Sequence, residues 1–264
     1  MRYLLILIFL FYWVGTCQAA VPVTGRHQDM TFTSYEVNEY AAAAYFQKIA
    51  NQSRAGLIDN DKSELNRVRT IASRLIAQAK RLKYECRTWD WEVHITDSDQ
   101  VSAFSMAGGK ILVGTRFIRK YNLSDSELAM VLAHEISHAM AEHVREQLSE
   151  IQLRRVRLPY TVEEASAEMN SDIGLYLSLM PLSRLQENEA DHIGVYLLAA
   201  AGYPPEAAIS FYRKLAHIDG KEEQSLFATH DSDANRLRAV RGYVEEVETH
   251  PVASVIPTLA HDFQ

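Results

Sequence analysis

His134-Glu135-Ile136-Ser137-His138 holds the residues of this chain best suited to chemistry. Successive residues of an α-helix turn by about 100°, so side chains four apart return to nearly the same face, one turn along. On a helix, His134 and His138 would offer two imidazoles to one metal ion, with Glu135 beside them to take a proton from water that the metal activates. Zinc suits imidazole and carboxylate ligands, and a catalytic zinc keeps one position open. The flanking residues predict the helix. Ser124-Asp125-Ser126-Glu127 has the S-x-x-E form of a capping box, and Leu128, Val131, Leu132, Ile136 and Met140 recur at helical spacing. With neither Pro nor Gly between Ser124 and Gln152, the stretch reads as one helix. That puts His143, nine positions after His134, on the far side as a surface residue.

A hydrolytic zinc needs a third protein ligand. The extended motif HExxHxxGxxH is absent, because Ala141 and Val144 stand where Gly and His would be. A second helix, expected to open at Glu187-Asn188-Glu189-Ala190-Asp191 and run through Leu198, puts Glu187, Ala190, Asp191, Gly194, Val195 and Leu198 on one face. Two carboxylates on a small, apolar face are costly unless something neutralises them. A metal bound by Glu187 would do so, and Asp191 could accept the N–H of a ligand histidine and fix its tautomer. The alternative is that both acids simply complement the dipole of a helix N-terminus. Glu189 points elsewhere on this reading and is solvated.

HExxH followed by Glu-x-x-Ala-Asp resembles the M48 metallopeptidases, and three more segments agree. Ala103-Phe104-Ser105-Met106-Ala107-Gly108-Gly109-Lys110-Ile111 is similar to the family's cleft strand, so the resemblance implies that Ala103, Phe104, Ser105, Gly108 and Gly109 line the substrate cleft. Pro181-Leu182-Ser183-Arg184 precedes Glu187 as in the family. Thr229-His230, with Arg236 six positions after the histidine, resembles the family's THPxxxxR. The resemblance implies that His230 approaches the zinc as a fourth ligand or gate, and that Arg236 steadies an oxyanion or a ligand carboxylate. The rival readings are a loop cap for His230 and a surface salt bridge for Arg236. Departures from the family pattern are Ser102 for Asn, Ala107 for Pro and Asp231 for Pro. The resemblance spans roughly residues 65 to 245, within a domain taken as 20–264. It implies an α+β, mainly α, zincin-like fold with a small sheet beside the HExxH helix, and one Zn2+ per chain.

At the amino terminus, Met1-Arg2, an apolar run from Tyr3 to Val14 and the small residues up to Ala20 form a secretory signal expected over residues 1–19. The run is too short for a comfortable membrane span. Val14-Gly15-Thr16-Cys17 is also similar to a lipobox, which would make Cys17 a lipid anchor and the only link to a membrane. Either reading sends the chain to a bacterial periplasm. Cleavage after Ala19 would leave only Cys86, so stability has to come from the core rather than from an internal disulfide. The net charge of −7 argues against nucleic acid as a partner.

Helices are expected over residues 35–52 and 62–83, after the Gly202-Tyr203-Pro204-Pro205 turn, and over 233–247. Trp89 to Ile95 and Lys110 to Val113 read as strands, with Gly108-Gly109 allowing a tight turn or a bulge, and His94 reads as a packed or surface residue. An edge strand there could bind an extended peptide through backbone hydrogen bonds. Residues 155–182 read either as a lid or as a plain surface helix. The combined expectation is a zinc endopeptidase for unfolded or misassembled proteins of the bacterial envelope. A gated, chaperone-like binding or assembly factor for outer-membrane proteins, with little constitutive proteolysis, is the alternative, and the outer-membrane protein assembly machinery is a candidate partner. A structural zinc protein fits poorly, since such sites usually close with four cysteine-rich ligands.

Overall fold

A computed structural model describes residues 17–154, 160–217 and 234–250. The chain enters through an antiparallel hairpin in which β1 (Cys17–Ala20) pairs with β2 (His27–Met30), from Cys17↔Met30 to Ala20↔His27. α1 (Ser34–Arg54) starts at a capping box of Thr33 and Glu36. α2 (Lys62–Leu82) starts at Asp61, whose carboxylate accepts from the Glu64 amide. It buries Leu65, Val68, Ile71, Ala72, Leu75 and Ala79, the helical stripe expected from the sequence.

A three-stranded mixed sheet follows. β3 (Glu92–Thr96) lies parallel to β5 (Lys110–Gly114), and β4 (Ala103–Met106) pairs antiparallel with β5, in the order β3-β5-β4. β5 is buried along its whole length and β4 is an edge. Gly108 and Gly109 turn the β4–β5 hairpin at φ +74° and +81°. A Cβ on Gly109 would stand 2.6 Å from the Trp91 ring, so a side chain there is excluded. The expected strand from Trp89 begins only at Glu92, because the Trp91 indole turns away to donate to the Cys86 carbonyl at 2.9 Å.

Seven helices complete the described chain: α3 (Thr115–Lys120), α4 (Asp125–Met140), α5 (His143–Arg154), α6 (Val162–Ser171), α7 (Ile173–Ala200), α8 (Glu206–His217) and α9 (Ala234–Thr249). α4 is apolar or small on nearly every face and lies at the centre, packed on α2, α7, α8 and β4. A second apolar cluster joins Phe32, Val37, Leu148, Ile151, Val162, Ala165, Leu175 and Leu179. The segment between the two site-bearing helices therefore builds its own core through α6 and the first half of α7. It is not a plain surface helix.

Two helix boundaries differ from the sequence reading. The single helix expected through Gln152 breaks after Met140, where Glu142 takes a left-handed conformation at φ +52°. No glycine or asparagine marks the break. Tertiary contacts impose it: Lys83 Nζ caps the Met140 carbonyl at 2.8 Å and pairs with the Glu142 carboxylate at 3.0 Å. Arg145 (3.0 Å) and the Ser34 hydroxyl hold the same carboxylate. Conversely, the helix expected to open at Glu187 begins at Ile173 and runs through Pro181, whose side chain is exposed.

Candidate metal centre

The site is assembled where α4 crosses α7. Ser124 and Glu127 form the capping box that starts α4, and Glu127 also binds Ser210 (2.6 Å) and Lys214 (2.6 Å) of α8. This anchors the entry to the helix at three points and sets the direction in which its side chains project. His134 and His138 fall one turn apart, with their Nε2 atoms 3.1 Å apart. On α7, Gly194 lets the helices approach: a Cβ there would meet Met130 Cε at 3.1 Å and the His134 backbone nitrogen at 3.4 Å. Glu187 is thereby brought under the histidines, its Oε2 at 3.4 Å from His134 Nε2 and its Oε1 at 3.3 Å from His138 Nε2.

These separations test whether the residues fit a metal. Ligands about 2.0–2.1 Å from a tetrahedral ion lie roughly 3.3–3.4 Å from one another. Glu187 meets the two histidines through different oxygens, at separations close to that spacing, and one donor atom from each of His134, His138 and Glu187 lies within 4.8 Å of the others, a group that could hold one ion. Among the described residues three ligands are supplied, and a hydrolytic zinc keeps one position for water or substrate.

The surrounding charges keep this donor set in place. Asp191 is fully buried, and its Oδ1 lies 2.9 Å from His134 Nδ1 and also accepts from the Tyr212 hydroxyl. Arg236 of α9 donates to Asp191 through Nε and Nη2, each at 2.8 Å, and its Nη1 lies 3.2 Å from Glu187 Oε2. Burial alone would raise the Asp191 pKa, but the Arg236 guanidinium and the His134 hydrogen bond hold it well below the usual carboxylate range. Burial drives His138 down to about 3, so it stays a neutral donor to a metal. Burial also acts against a charged His134, but there the carboxylates of Asp191 and Glu187 prevail and raise it to about 9. Glu187 and Asp191 lie deep inside α7, so the helix-dipole explanation for them does not hold.

Glu135 is 3 % exposed on α4, and its backbone carbonyl accepts the Ser105 hydroxyl of β4 at 2.7 Å. That bond ties the edge strand to the turn bearing the two histidines. Ala103 is buried, Phe104 and Ser105 are half-buried, and Gly108 and Gly109 close the far end of the strand. His230 lies outside the described residues. Arg236 is not a surface salt bridge: its buried guanidinium is held by the carboxylates of Asp191 and Glu187, the latter the expected ligand carboxylate.

Two residues read from sequence as solvated are buried behind the site. His143 is 1 % exposed, because the break at Glu142 swings α5 round so that its ring meets His138. Glu189 is 5 % exposed and is bound by Arg26 from the N-terminal hairpin. Tyr212 was not singled out either. Nothing local marks these residues, since Arg26 and Glu189 are 163 positions apart and meet only in the tertiary fold.

Residues 62–244 match the family described as Peptidase family M48. The chain is 37% identical over 156 residues to the mitochondrial metalloendopeptidase OMA1 of Arabidopsis thaliana, covering 56% of this chain and 30% of that protein. It is 28% identical over 201 residues to the beta-barrel assembly-enhancing protease of Yersinia pestis, covering 71% of this chain and 40% of that one. It is 31% identical over 164 residues to OMA1 of Schizosaccharomyces pombe, covering 60% and 48%. The chain thus spans less than half the length of these relatives.

Proposed function

Because the chain belongs to peptidase family M48, we propose that it is a zinc-dependent endopeptidase cleaving unfolded or misassembled proteins of the bacterial envelope. The observation that carries this reading is the cluster of His134, His138 and Glu187 donor atoms, all within 4.8 Å of one another and able to hold one ion. Zinc bound there supplies a Lewis acid that polarises a carbonyl and acidifies water. The chain's own residues do the rest. Glu135, next to His134 in the same turn, takes the proton of the attacking water and returns it to the leaving amine nitrogen, acting as base and then as acid. Asp191 fixes His134 with its proton on Nδ1, which leaves Nε2 free to coordinate. Arg236 neutralises the second buried carboxylate and holds α9 against the site. The β4 edge offers backbone hydrogen bonds to an extended chain, a mode that tolerates many sequences and suits unfolded substrates.

The envelope assignment draws on the N-terminal signal-like sequence and on the name of the bacterial relatives, beta-barrel assembly-enhancing protease. Among the described residues no helix is long and apolar enough to cross a membrane. Partners in outer-membrane protein assembly belong to the same proposal. The test is casein cleavage by zinc-loaded protein beside Glu135→Gln, with zinc content measured on both. Parent cleavage with a loss of at least about 100-fold in the variant, at equal zinc content, is the expected result. Equal cleavage by the two proteins would remove Glu135 from the mechanism. No cleavage by zinc-loaded parent would count against the endopeptidase reading.

A further inference from the structure

Behind His138 runs a line of buried polar groups that the hydrolytic chemistry does not itself require. His138 turns Nε2 toward Glu187 and His134, and Nδ1 toward Nδ1 of His143, 2.9 Å away. On the far side of the His143 ring, Nε2 stands 3.4 Å from Glu189 Oε2. Glu189 is gripped by Arg26, with Nε to Oε1 at 2.8 Å and Nη2 to Oε2 at 2.7 Å, and by the Thr24 hydroxyl at 3.1 Å. The same guanidinium reaches Glu146 at 2.5 and 2.8 Å, and Glu146 also accepts from Gln28 (2.9 Å) and Gln186 (2.7 Å). Buried polar groups usually have a partner of matching polarity; among the described residues His143 Nε2 makes no hydrogen bond and faces the Glu189 carboxylate as a charged contact at 3.4 Å instead.

Proton bookkeeping gives the line a direction. Two imidazoles that meet through their Nδ1 atoms form a hydrogen bond only when one nitrogen carries a proton and the other does not. A histidine coordinating a metal through Nε2 is neutral and carries its proton on Nδ1. His138 must then donate, and His143 must accept at Nδ1. The remaining His143 proton sits on Nε2, on the side facing the Glu189 carboxylate. Glu189 keeps its charge because Arg26 faces it with two N–H groups.

We propose that His143 is a positioning residue for the metal ligand His138, kept in its accepting tautomer by Glu189 and Arg26, so that the segment bearing Thr24 and Arg26 forms part of the support of the metal centre. This rests on the reading of His134, His138 and Glu187 as a metal site. Asp191 serves His134 with a charged acceptor, whereas His143 serves His138 with a neutral one that passes its requirement on to Glu189. Arg26 and Thr24 lie outside residues 62–244, the stretch matched to the family.

The test measures zinc affinity on the full chain by competition with a chromophoric chelator, for the parent, His143→Asn and His143→Leu. The unfolding midpoint of each metal-free protein is measured alongside. Asn keeps an acceptor near the position of Nδ1, and Leu keeps only bulk. We expect His143→Leu to weaken zinc binding about 10–100-fold and His143→Asn to stay within about threefold of the parent. The visible absorption of the cobalt(II)-loaded Leu variant should shift, and that of the Asn variant should not. Unchanged affinity in His143→Leu, or equal losses in both variants, would overturn the proposal. Should the Leu variant fail to fold, long-range nitrogen–proton NMR of the zinc-loaded parent decides: protons on His138 Nδ1 and His143 Nε2 support the proposal, and a proton on His143 Nδ1 refutes it. A parent that binds no zinc would bring down the metal site and this inference together. A parent that binds one zinc, with His143→Leu unaffected, would bring down the inference alone.

Discussion

Replacing Asp191 with Asn keeps the shape of the side chain and removes one charge from the most enclosed point of the site. Asp191 is 0 % exposed and accepts from His134, the Tyr212 hydroxyl and two Arg236 nitrogens. An amide has one acceptor atom. With its oxygen in the Oδ1 position, serving His134, Tyr212 and Arg236 Nη2, its NH2 faces Arg236 Nε and sets donor against donor. Arg236, with an 11 % exposed side chain, loses this carboxylate and keeps Glu187 at 3.2 Å as a charged partner. Breaking a buried ion pair costs about 3–5 kcal/mol, and the lower end applies here because Glu187 still faces the guanidinium. We therefore expect Asp191→Asn to lose about 3 kcal/mol in urea unfolding of the metal-free protein. Zinc binding should also weaken about 10–100-fold, because His134 loses its charged acceptor. Adding Arg236→Met removes the stranded cation, so the double variant should be less destabilised than the sum of the two single variants. A urea midpoint unchanged by Asp191→Asn, or strictly additive losses, would refute this account of the Asp191–Arg236 pair.

Further consequences concern packing and charge elsewhere. Gly194→Val puts branched bulk where even a Cβ meets Met130 Cε at 3.1 Å and the His134 backbone at 3.4 Å, so it should cost about 1–3 kcal/mol and lower zinc occupancy. Gly194→Ala, which needs only the flexible Met130 tip to move, should retain zinc, and thermal melts with metal analysis separate the two. Burial opposes the Glu127 charge, yet Lys214, Ser210 and Ser124 lower its pKa from 4.5 to about 2. Its folded pKa lies below the unfolded one, so its contribution is complete above about pH 5 and is lost as pH falls toward 2. Urea midpoints taken from pH 6 to pH 3 should fall less steeply in Glu127→Gln than in the parent, and parallel profiles would count against the pairing with Lys214. Cys86 is 0 % exposed, and burial pushes its thiol up to about 12. It should resist alkylation at pH 8 in the native protein and react once unfolded; fast reaction of the folded chain would contradict its packing.

Much of the centre was legible in the chain before any folding, because it depends on helix geometry that is local. Four-residue spacing set His134 and His138 on one face of α4, and the Ser124–Glu127 capping box started that helix where expected. The Glu-x-x-Ala-Asp spacing put Glu187 and Asp191 on one face of α7, and Gly194 on that face allowed close approach. The apolar run after Lys110 and the glycine pair before it likewise marked a strand and its turn, and the structure buries that strand.

What local pattern could not contain is every feature decided by groups distant in sequence. α4 stops at Met140 because Lys83, Ser34 and Arg145 hold Glu142 in a conformation that its own propensity disfavours. That bend alone converts His143 from an outward-facing residue into the neighbour of His138. The start of α7 at Ile173 was hidden by Pro181, which sequence rules treat as a breaker but which the second apolar core, built in part by Leu175 and Leu179 of the same helix, tolerates. Glu189 looked solvated because its partner, Arg26, sits on a hairpin at the other end of the chain. Spacing along the chain thus determined which side chains could share a metal, since a helix repeats itself every turn. The tertiary fold decided which buried charges support them, since an ion pair depends on proximity in space.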